Sequence, residues 1–212
     1  VALSGMLSLS AVHGQLPVSP PTVLGDAGGA LGLALGIVSG VLQARQSGQG
    51  CVVDAAIVDM VAMLGGLAQW IAGTGGLGGP APSVFHDSPF YDVYRCADGG
   101  HITLGALEPQ FYALLIDKLG LTDVELKQQF DHRTWPALKA RLVALFASQP
   151  RAHWEALLEG TDACFAPVLS VEEAAQHPHN MARGTYQRTP SGALCSVAAP
   201  RFHELPGANT HD

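Results

Sequence analysis

The feature that most restricts the fold of this chain is a stretch of eighteen residues, 27–44, that carries no charged side chain. By length alone, such a stretch could cross a bilayer. Glycine recurs in it at every fourth position, however, and residues four apart share one face of a helix. These glycines are Gly28, Gly32, Gly36 and Gly40. We therefore predict a helix whose glycine face packs closely against another segment. We do not predict a membrane span, because no other part of the chain resembles one.

Composition narrows the class of protein further. Apolar residues make up 48% of the 212-residue chain and charged residues 14%, which excludes an intrinsically disordered chain. The formal net charge is -7, and the chain holds only eleven lysines and arginines. Because nucleic acids and anionic membranes are bound through a basic surface, we expect neither as a partner.

Cysteine use and the start of the chain bear on the cellular compartment. The cysteines lie too far apart for a C-x-x-C pair, so no zinc site is predicted. We expect them to be reduced and mostly packed, as free cysteines commonly are. They are Cys51, Cys96, Cys164 and Cys195. No charged segment precedes an apolar core at the start, so no signal peptide is predicted. These features favour a cytoplasmic protein. The sequence opens in mid-pattern, so we also expect an upstream segment.

The first half of the chain is predicted to alternate helix, strand and helix. Residues 51–53 are a short β-prone run, and Asp54 suits the N-cap of a helix over 55–70. This order is typical of a layered α/β domain. A segment rich in glycine and proline, 73–82, ends the domain.

Beyond this segment the sequence predicts a small α+β unit. Residues 90–95 and 101–104 form a hairpin around an Ala-Asp-Gly-Gly turn. Helices are expected at 109–119, 136–147 and 151–158. A further helix is expected to begin at a capping box formed by Thr122 and Glu125. A strand is expected at 164–168. A second capping box is predicted between Ser170 and Glu173. No helix is predicted from residue 177 onward. Residues 184–188 are expected to pair with 193–197 as two strands. The resulting domains are 1–72 (part of a large domain), 73–88 (linker), 89–166 (small domain) and 167–212 (return to the large domain).

Asp26 lies where a coil passes into the glycine-rich helix, and two interpretations of it stay open. The first is a helix N-cap, which aspartate favours and which complements the helix dipole. The second is a catalytic carboxylate. In that case the backbone N–H groups of Ala27, Gly28 and Gly29 would stabilise a developing oxyanion beside it.

Three further groups of residues carry side chains of types that occur in catalytic or metal sites. Glu108 lies between a strand and a helix, and it is either a helix-start carboxylate or a second carboxylate for acid–base catalysis. His177 and His179 flank a proline that points their rings apart, so no metal site is predicted. Residues 86–88, His-Asp-Ser, contain the residue types of a catalytic triad. We interpret them as a loop, because triads are formed in space and not by adjacency.

Several short motifs recur in a fixed order along the chain. They are Ala-Leu-Ser-Gly at 2–5, Leu-Gly-Asp-Ala-Gly-Gly at 24–29, Gly-Gln-Gly-x-Val-Val-Asp-Ala at 48–55, Pro-Phe-Tyr-x-x-Tyr-Arg at 89–95, Gly-Ala-Leu-Glu-Pro-Gln-Phe at 105–111, Pro-His-Asn-x-Ala-Arg at 178–183 and Ala-Pro-Arg-Phe at 199–202. In this order they resemble the family III CoA-transferase superfamily and, within it, the α-methylacyl-CoA racemases.

This resemblance implies a fold and an assembly. The expected fold is α/β, with part of a Rossmann-like large domain and a small α+β domain. The resemblance also implies a homodimer of two interlocked subunits. The active site would then lie between the large domain of one subunit and the small domain of the other.

The resemblance also implies roles for individual residues. Asp26 falls at the catalytic aspartate of the family, and Glu108 falls in a racemase-type motif near the site. The racemases have an asparagine four residues before the aspartate, where this chain has Thr22, and they use a histidine that would lie upstream of this chain. The residues assigned to substrate binding are Thr22, Ala27, Gly28 and Gly29.

The implied activity is racemisation or epimerisation of 2-methylacyl-CoA thioesters, by 1,1-proton transfer through an enolate, in lipid metabolism. No cofactor is expected beyond the coenzyme A of the substrate. One alternative is a CoA-transferase in which Asp26 accepts the acyl group as a nucleophile. Another is a catalytically incomplete fragment, because the second base and most contacts to coenzyme A would lie upstream.

Overall fold

The computed structural model describes residues 2–4, 6–10 and 23–202 as a mixed α/β fold. The α-helices are α1 (Gly28–Ser47), α2 (Ile57–Leu64), α3 (Gly66–Gly73), α4 (Pro109–Lys118), α5 (Trp135–Phe146), α6 (Arg151–Leu158), α7 (Val171–Gln176) and α8 (Pro178–Arg183). The strands are β1 (Tyr91–Arg95), β2 (His101–Gly105), β3 (Phe165–Val168), β4 (Tyr186–Arg188) and β5 (Leu194–Ser196).

Helical winding in the first half of the chain begins earlier than the sequence predicts. A π turn, Val23–Ala27, leads directly into α1, and Asp26 lies inside this turn. The N-cap of α1 is Ala27, which makes no side-chain capping bond. The N-cap interpretation of Asp26 is therefore wrong. Helix α1 ends at Gly48, whose positive φ of 74° favours glycine.

The glycine face of α1 packs against residues 51–64, which confirms the close approach predicted from the fourfold spacing. A Cβ atom built on Gly36 would lie 2.7 Å from Cγ1 of Val53. One built on Gly32 would collide with the side chain of Met60. Glycine is therefore needed on this face because a neighbouring segment occupies the space of a side chain.

We expect Gly36→Ala to loosen the packing of α1 against Val53. Alanine favours the helix by about 1 kcal/mol, but forcing a methyl group against a β-branched side chain costs about 1–3 kcal/mol. Amide hydrogen exchange in α1 should therefore become faster. The control is Gly66→Ala in α3, where an added Cβ meets no atom within 4 Å. Slower exchange in both variants would contradict this account of the glycine face.

Two predictions for residues 51–56 are wrong. This segment has no regular secondary structure, so 51–53 is not a strand. Val53 instead lies over the glycine face of α1, which competes with pairing in a sheet. Asp54 is not an N-cap, because α2 is preceded by Ala56, in an extended conformation without a side-chain capping bond.

The predicted helix over 55–70 is two helices, α2 and α3, which are separated at Gly65. A Cβ on Gly65 would collide with the side chain of Met6, so the chain breaks where another segment approaches. Residues 23–73 thus contain helices and irregular segments without a strand, and the predicted helix–strand–helix order does not hold there.

The outer face of α1 is apolar and exposed. Leu31 is 71% exposed, and Val38 is 63% exposed. Within the described residues, Leu24–Ser47 is the one helix whose length and composition would allow it to cross a membrane. This is weak evidence for a membrane span, because core helices of soluble proteins meet the same criterion. Exposed apolar surface of this kind marks a contact surface.

The second half of the chain contains a three-stranded antiparallel sheet in the order β1-β2-β3. Val93 lies opposite Thr103 and Thr103 opposite Ala166, so β2 is the central strand. The predicted hairpin and the strand at 164–168 are therefore confirmed. Tyr94, Ile102 and Leu104 point to one buried face, whereas their neighbours are more exposed. This alternation is typical of a sheet covered on one side.

The main buried cluster lies between this sheet and helices α4, α5 and α6. Its centre is aromatic. The ring of Phe146 lies 5.1 Å from that of Tyr94 and 5.0 Å from that of Trp154. The indole of Trp154 also donates a hydrogen bond to the carbonyl of Phe146, at 3.1 Å. The predicted small domain, 89–166, contains every fully buried residue of this cluster.

The loop between α4 and α5 differs from its prediction. Thr122 and Glu125 do not form a capping box, and only a 3-10 turn, Leu126–Gln128, follows them. The buried amide of Gln129 donates to the carbonyls of Ala106 and Leu107, at 3.1 and 2.9 Å. These bonds fix the loop to the end of β2, so tertiary contacts override the local capping signal.

The segment after β3 confirms one capping box and adds an unpredicted helix. The Ser170 side chain accepts from the N–H of Glu173, and the Glu173 carboxylate accepts from the N–H of Ser170. Helix α8 was missed because six residues are too few for a recognisable period. The predicted pairing of the last two strands is confirmed as β4 with β5.

Arg151 joins four elements around the end of this sheet. Its side chain binds Glu155 on its own helix, the carbonyl of Val168 at the end of β3, and Glu173 on α7. Its backbone N–H donates to Asp98 in the β1–β2 turn, at 3.1 Å. Hydrogen bonds from Arg151 and Ser170 lower the pKa of Glu173 to about 2.

We expect the contact between Arg151 and Glu173 to weaken only in strong acid. A carboxyl group with a lowered pKa contributes stability above its unfolded value, and this contribution is lost as the pH falls through the folded value of about 2. A carboxyl-carbon NMR titration of Glu173 should show this low midpoint. In Arg151→Ala the midpoint should move up towards the ordinary value for glutamate. An unchanged midpoint in that variant would contradict the assigned cause.

Candidate functional site

The structure places Asp26 on the surface, at the start of the charge-free helix. Its side chain is exposed and makes no hydrogen bond or ion pair to the described residues. Leu24 and Asp26 lie two positions apart, so they face different sides of the helical turn. The carboxylate is close to the positive end of a helical dipole, which favours an anion there. It is therefore accessible to a ligand or to another part of the assembly.

The residues predicted to surround Asp26 differ in exposure. Gly28 and Gly29 are buried against Leu64 and Ile57, whereas Ala27 is exposed. A π turn pairs each N–H with the carbonyl five residues earlier, so winding is continuous through Ala27. The N–H groups predicted to bind an oxyanion thus lie within a helix, not at its open end. Thr22 lies outside the described residues.

Glu108 occupies the N-cap position of α4, with an exposed side chain that makes no capping bond. Burial raises the pKa of the Cys164 thiol, and the charges of Glu108 and Asp162 raise it further. The backbone of Cys164 has a φ of 51°, unusual for a residue with a side chain. No hydrogen bond or ion pair among the described residues joins Glu108 to Asp26.

An apolar cavity of about 550 Å³ lies between α2, α3 and the segment before β1. We call it the α2–α3 cavity. It is lined by Met6, Leu9, Leu24, Val61, Leu64, Gly65, Leu67, Ala68, Ile71, Leu77, Phe85, His86 and Tyr91. This cavity is not predicted from the sequence, because its walls come from separate segments that carry no shared motif.

A second cavity, of about 510 Å³, lies on the open side of the sheet. We call it the sheet cavity. It shares Phe85 and Tyr91 with the α2–α3 cavity and extends to Gly105 and Cys164. The shared rings pack edge to face, with centroids 5.5 Å apart. The two cavities are therefore neighbours, and the second one reaches Cys164, whose thiol pKa is raised in part by the charge of Glu108.

Residues 84–87 form a turn that Ser88 follows, so His86, Asp87 and Ser88 belong to a loop, as predicted, and not to a triad. The Ser88 hydroxyl donates to the carbonyl of Val84 at 2.5 Å, and the Asp87 carboxylate accepts from the N–H of Ser83 at 2.6 Å. The ring of His86 contacts neither side chain through a hydrogen bond and instead lines the α2–α3 cavity.

The two histidines flanking Pro178 have a structural role. The Nε2 atom of His177 lies 2.7 Å from a carboxylate oxygen of Glu159, and its Nδ1 atom accepts from the N–H of His179. His177 therefore caps α8 and ties it to the end of α6. Among the described residues, no group of three or more histidine, cysteine or acidic side chains is placed to hold a metal ion.

The family model for CoA-transferase family III matches residues 1–211. The chain belongs to this family. The family III chain is 41% identical over 214 residues to "Alpha-methylacyl-CoA racemase" of Homo sapiens, an alignment that covers 97% of this chain and 55% of the human protein. It is 26% identical over 230 residues to "Acetyl-CoA:oxalate CoA-transferase" of Acetobacter aceti, covering 98% of this chain and 56% of that protein.

Solved structures show the same fold. The crystal structure of Rv3272 from M. tuberculosis superposes with a TM-score of 0.71 at 19% identity, covering 96% of the family III chain and 54% of that chain. The chain spans about half the length of the curated relatives it matches. Tests of activity therefore concern the complete protein.

Proposed function

We propose that the complete protein is a racemase or epimerase of 2-methylacyl-CoA thioesters. The observation that carries this proposal is the 41% identity to a human protein named for that activity. The motif that contains Glu108 and the exposed Asp26 carboxylate supply acid–base groups suited to it. We further propose that coenzyme A enters only as part of the substrate, that the protein acts in lipid metabolism in the cytoplasm, and that it is a homodimer.

The reaction assigns a definite step to Asp26. Its carboxylate takes the proton from the α-carbon of the thioester. The C–H electron pair then forms a carbon–carbon double bond, and the carbonyl π electrons move to the oxygen, giving an enolate. A proton delivered to the opposite face of the α-carbon reverses the configuration, and this needs a second acid. In the racemases that this chain resembles, a histidine has that role, and its motif does not occur in the 212 residues of this chain.

Stabilisation of the enolate oxygen needs donors that are fixed before the reaction. Each such donor contributes roughly 3–4 kcal/mol in enzymes where it has been removed. Thr22, Ala27, Gly28 and Gly29 remain our proposal for substrate binding next to Asp26. Because the chain is helical through Ala27, these N–H groups are not free to bind the enolate oxygen. We therefore propose that the positive end of the helix dipole stabilises the negative charge on that oxygen.

Glu108 is proposed as a second carboxylate of the site. An exposed carboxylate can exchange a proton with a neighbouring group or change its proton affinity. The resemblance implies an active site shared by two subunits, so we propose that Glu108 of one subunit acts together with Asp26 of the other.

A CoA-transferase is the second candidate. The relative named acetyl-CoA:oxalate CoA-transferase favours it, since the alignment covers 98% of this chain. In this mechanism an Asp26 oxygen attacks the thioester carbonyl, the C–S bond breaks, and coenzyme A leaves as the thiolate. The product on the enzyme is a mixed anhydride.

One experiment separates the two candidates. The complete protein is incubated with one epimer of 2-methyldecanoyl-CoA in the presence of hydroxylamine. The racemase proposal predicts a mixture of epimers and no hydroxamate in excess of an enzyme-free control. Enzyme-dependent hydroxamate without epimer formation would replace the racemase proposal with the transferase.

A further inference from the structure

The main chain that leads to Glu108 is anchored at several points. The N–H of Gly105 donates to the carbonyl of Cys164 at 2.8 Å, and the N–H of Ala106 donates to the carbonyl of Phe90 at 3.0 Å. The carbonyl of Glu108 accepts from two N–H groups in the first turn of α4, each at 3.0 Å. Residues 105–108 are therefore tied to the starts of β1, β3 and α4.

Two carbonyls within this stretch are bound by one buried side chain. They belong to Ala106 and Leu107, and both accept from Nε2 of Gln129, at 3.1 and 2.9 Å. The nitrogen of a primary amide carries two hydrogens, so it can serve both carbonyls at once. Gln129 is 3% exposed and Ala106 is fully buried. A buried carbonyl that lost its donor would be destabilised, so these bonds hold the two peptide groups in place.

The carboxylate of Glu108 has no comparable restraint of its own. It is exposed and makes no hydrogen bond or ion pair to the described residues. Its location is therefore set by the main chain that carries it. Gln129 bonds to the two residues directly before Glu108, so it acts on the carboxylate without touching it.

We propose that Gln129 is a positioning residue of the active site, which fixes the location of the Glu108 carboxylate through Ala106 and Leu107. This inference rests on the proposed function, in which Glu108 is the second carboxylate of the site. A displacement of about 1 Å, caused by a substitution far from the reacting atoms, can lower a rate about 10²-fold. Loss of the two bonds should therefore lower kcat and leave KM nearly unchanged, because the buried amide of Gln129 is bound to the main chain.

The test compares two substitutions in the same loop of the complete protein. Gln129→Met keeps an unbranched side chain and removes both donors. It should lower kcat for interconversion of 2-methyldecanoyl-CoA epimers about 10- to 100-fold and change KM less than about 3-fold. The matched control is Trp135→Phe. The indole of Trp135 donates to the main-chain carbonyl of Gln129 at 2.7 Å, so its loss affects the loop but not the bonds to Ala106 and Leu107. This control should leave kcat nearly unchanged.

A double-mutant cycle separates positioning from general support of the fold. Gln129→Met is combined with Glu108→Gln, whose amide cannot exchange the proton. If Gln129 acts through Glu108, the double variant is about as slow as Glu108→Gln alone, because residues that act as a unit have non-additive effects. An equal further loss of kcat in both backgrounds would overturn the inference.

A readout without substrate keeps this inference separate from the proposed function. In Gln129→Met the carboxyl-carbon NMR signal of Glu108 should shift, and the amide hydrogens of Ala106 and Leu107 should exchange faster. Trp135→Phe should change neither. An unchanged Glu108 signal with unchanged exchange would overturn the inference. If both change while the epimers do not interconvert, the proposed function fails and the positioning of Glu108 by Gln129 stands.

A milder variant covers the case in which circular dichroism shows Gln129→Met to be unfolded. Gln129→Asn keeps the amide on a side chain shorter by one methylene group, so the nitrogen lies farther from the two carbonyls. It should change the Glu108 signal and the amide exchange in the same direction by a smaller amount. Wild-type values for both in Gln129→Asn would then overturn the inference.

Discussion

Replacing Asp26 with asparagine is expected to lower the rate of α-hydrogen exchange about 10²- to 10⁴-fold for the 2-methylacyl-CoA epimer whose α-hydrogen faces Asp26, the range typical of a lost general acid or base. The amide has nearly the size of the carboxylate but cannot accept the proton. Asp26 is exposed and makes no side-chain bond to the described residues, so the substitution should leave the fold intact. Exchange is measured by mass spectrometry of the thioester in deuterium oxide, using the complete protein.

The matched control for this prediction is Asp59→Asn. Asp59 is also an exposed aspartate, and it lies on neighbouring α2. Its loss should leave exchange unchanged. An Asp26→Asn variant with wild-type exchange, or an equal loss in both variants, would exclude Asp26 as the group that moves the proton.

The second large effect concerns the small-domain core. Phe146→Ala should lower the free energy of unfolding by about 3–5 kcal/mol, the usual cost of removing a buried aromatic ring. The ring is fully buried and lies between those of Tyr94 and Trp154. Its removal leaves a cavity that a closely packed interior cannot collapse to fill. Urea unfolding followed by tryptophan fluorescence measures the change.

Phe202→Ala provides the control, because that ring is 93% exposed in the described chain. It should change the free energy of unfolding by less than about 0.5 kcal/mol, as surface substitutions generally do. A loss below about 1 kcal/mol for Phe146→Ala would show that the cluster between the sheet and α4–α6 is not the main source of stability.

The parts of the fold that sequence predicts well are those whose signal is local or strictly periodic. The fourfold glycine spacing identified the packed face of α1, because a missing Cβ acts only where another segment comes close. The β1–β2 hairpin followed from its turn residues. The capping box of Ser170 and Glu173 formed because both partners lie on one turn and no other contact competes for them.

The failures arise where tertiary contacts outweigh local preference. Residues 51–53 have β-prone side chains, yet Val53 covers the glycines of α1 and no strand forms. Thr122 and Glu125 have the spacing of a capping box, but the bonds made by Gln129 hold that loop against β2. Neither contact is encoded in the neighbouring residues, so a local pattern could not predict it.

The candidate site also has one part that local sequence patterns predict and one part that they do not. Asp26 and Glu108 were found as acidic residues at helix starts inside ordered motifs, and the structure shows both carboxylates exposed. The α2–α3 cavity is not predictable from local patterns, since its walls combine residues from Met6 to Tyr91 that are ordinary apolar side chains when considered singly.

The most direct test of the account is the deuterium content of the product epimer. One pure epimer of 2-methyldecanoyl-CoA is incubated with the complete protein in deuterium oxide, and the opposite epimer is isolated early in the reaction. Proton transfer through an enolate predicts that this product carries one deuterium at C2. Absence of the opposite epimer, or an opposite epimer that retains its original hydrogen at C2, would contradict the central claim that the protein inverts C2 by removing the α-proton to form an enolate.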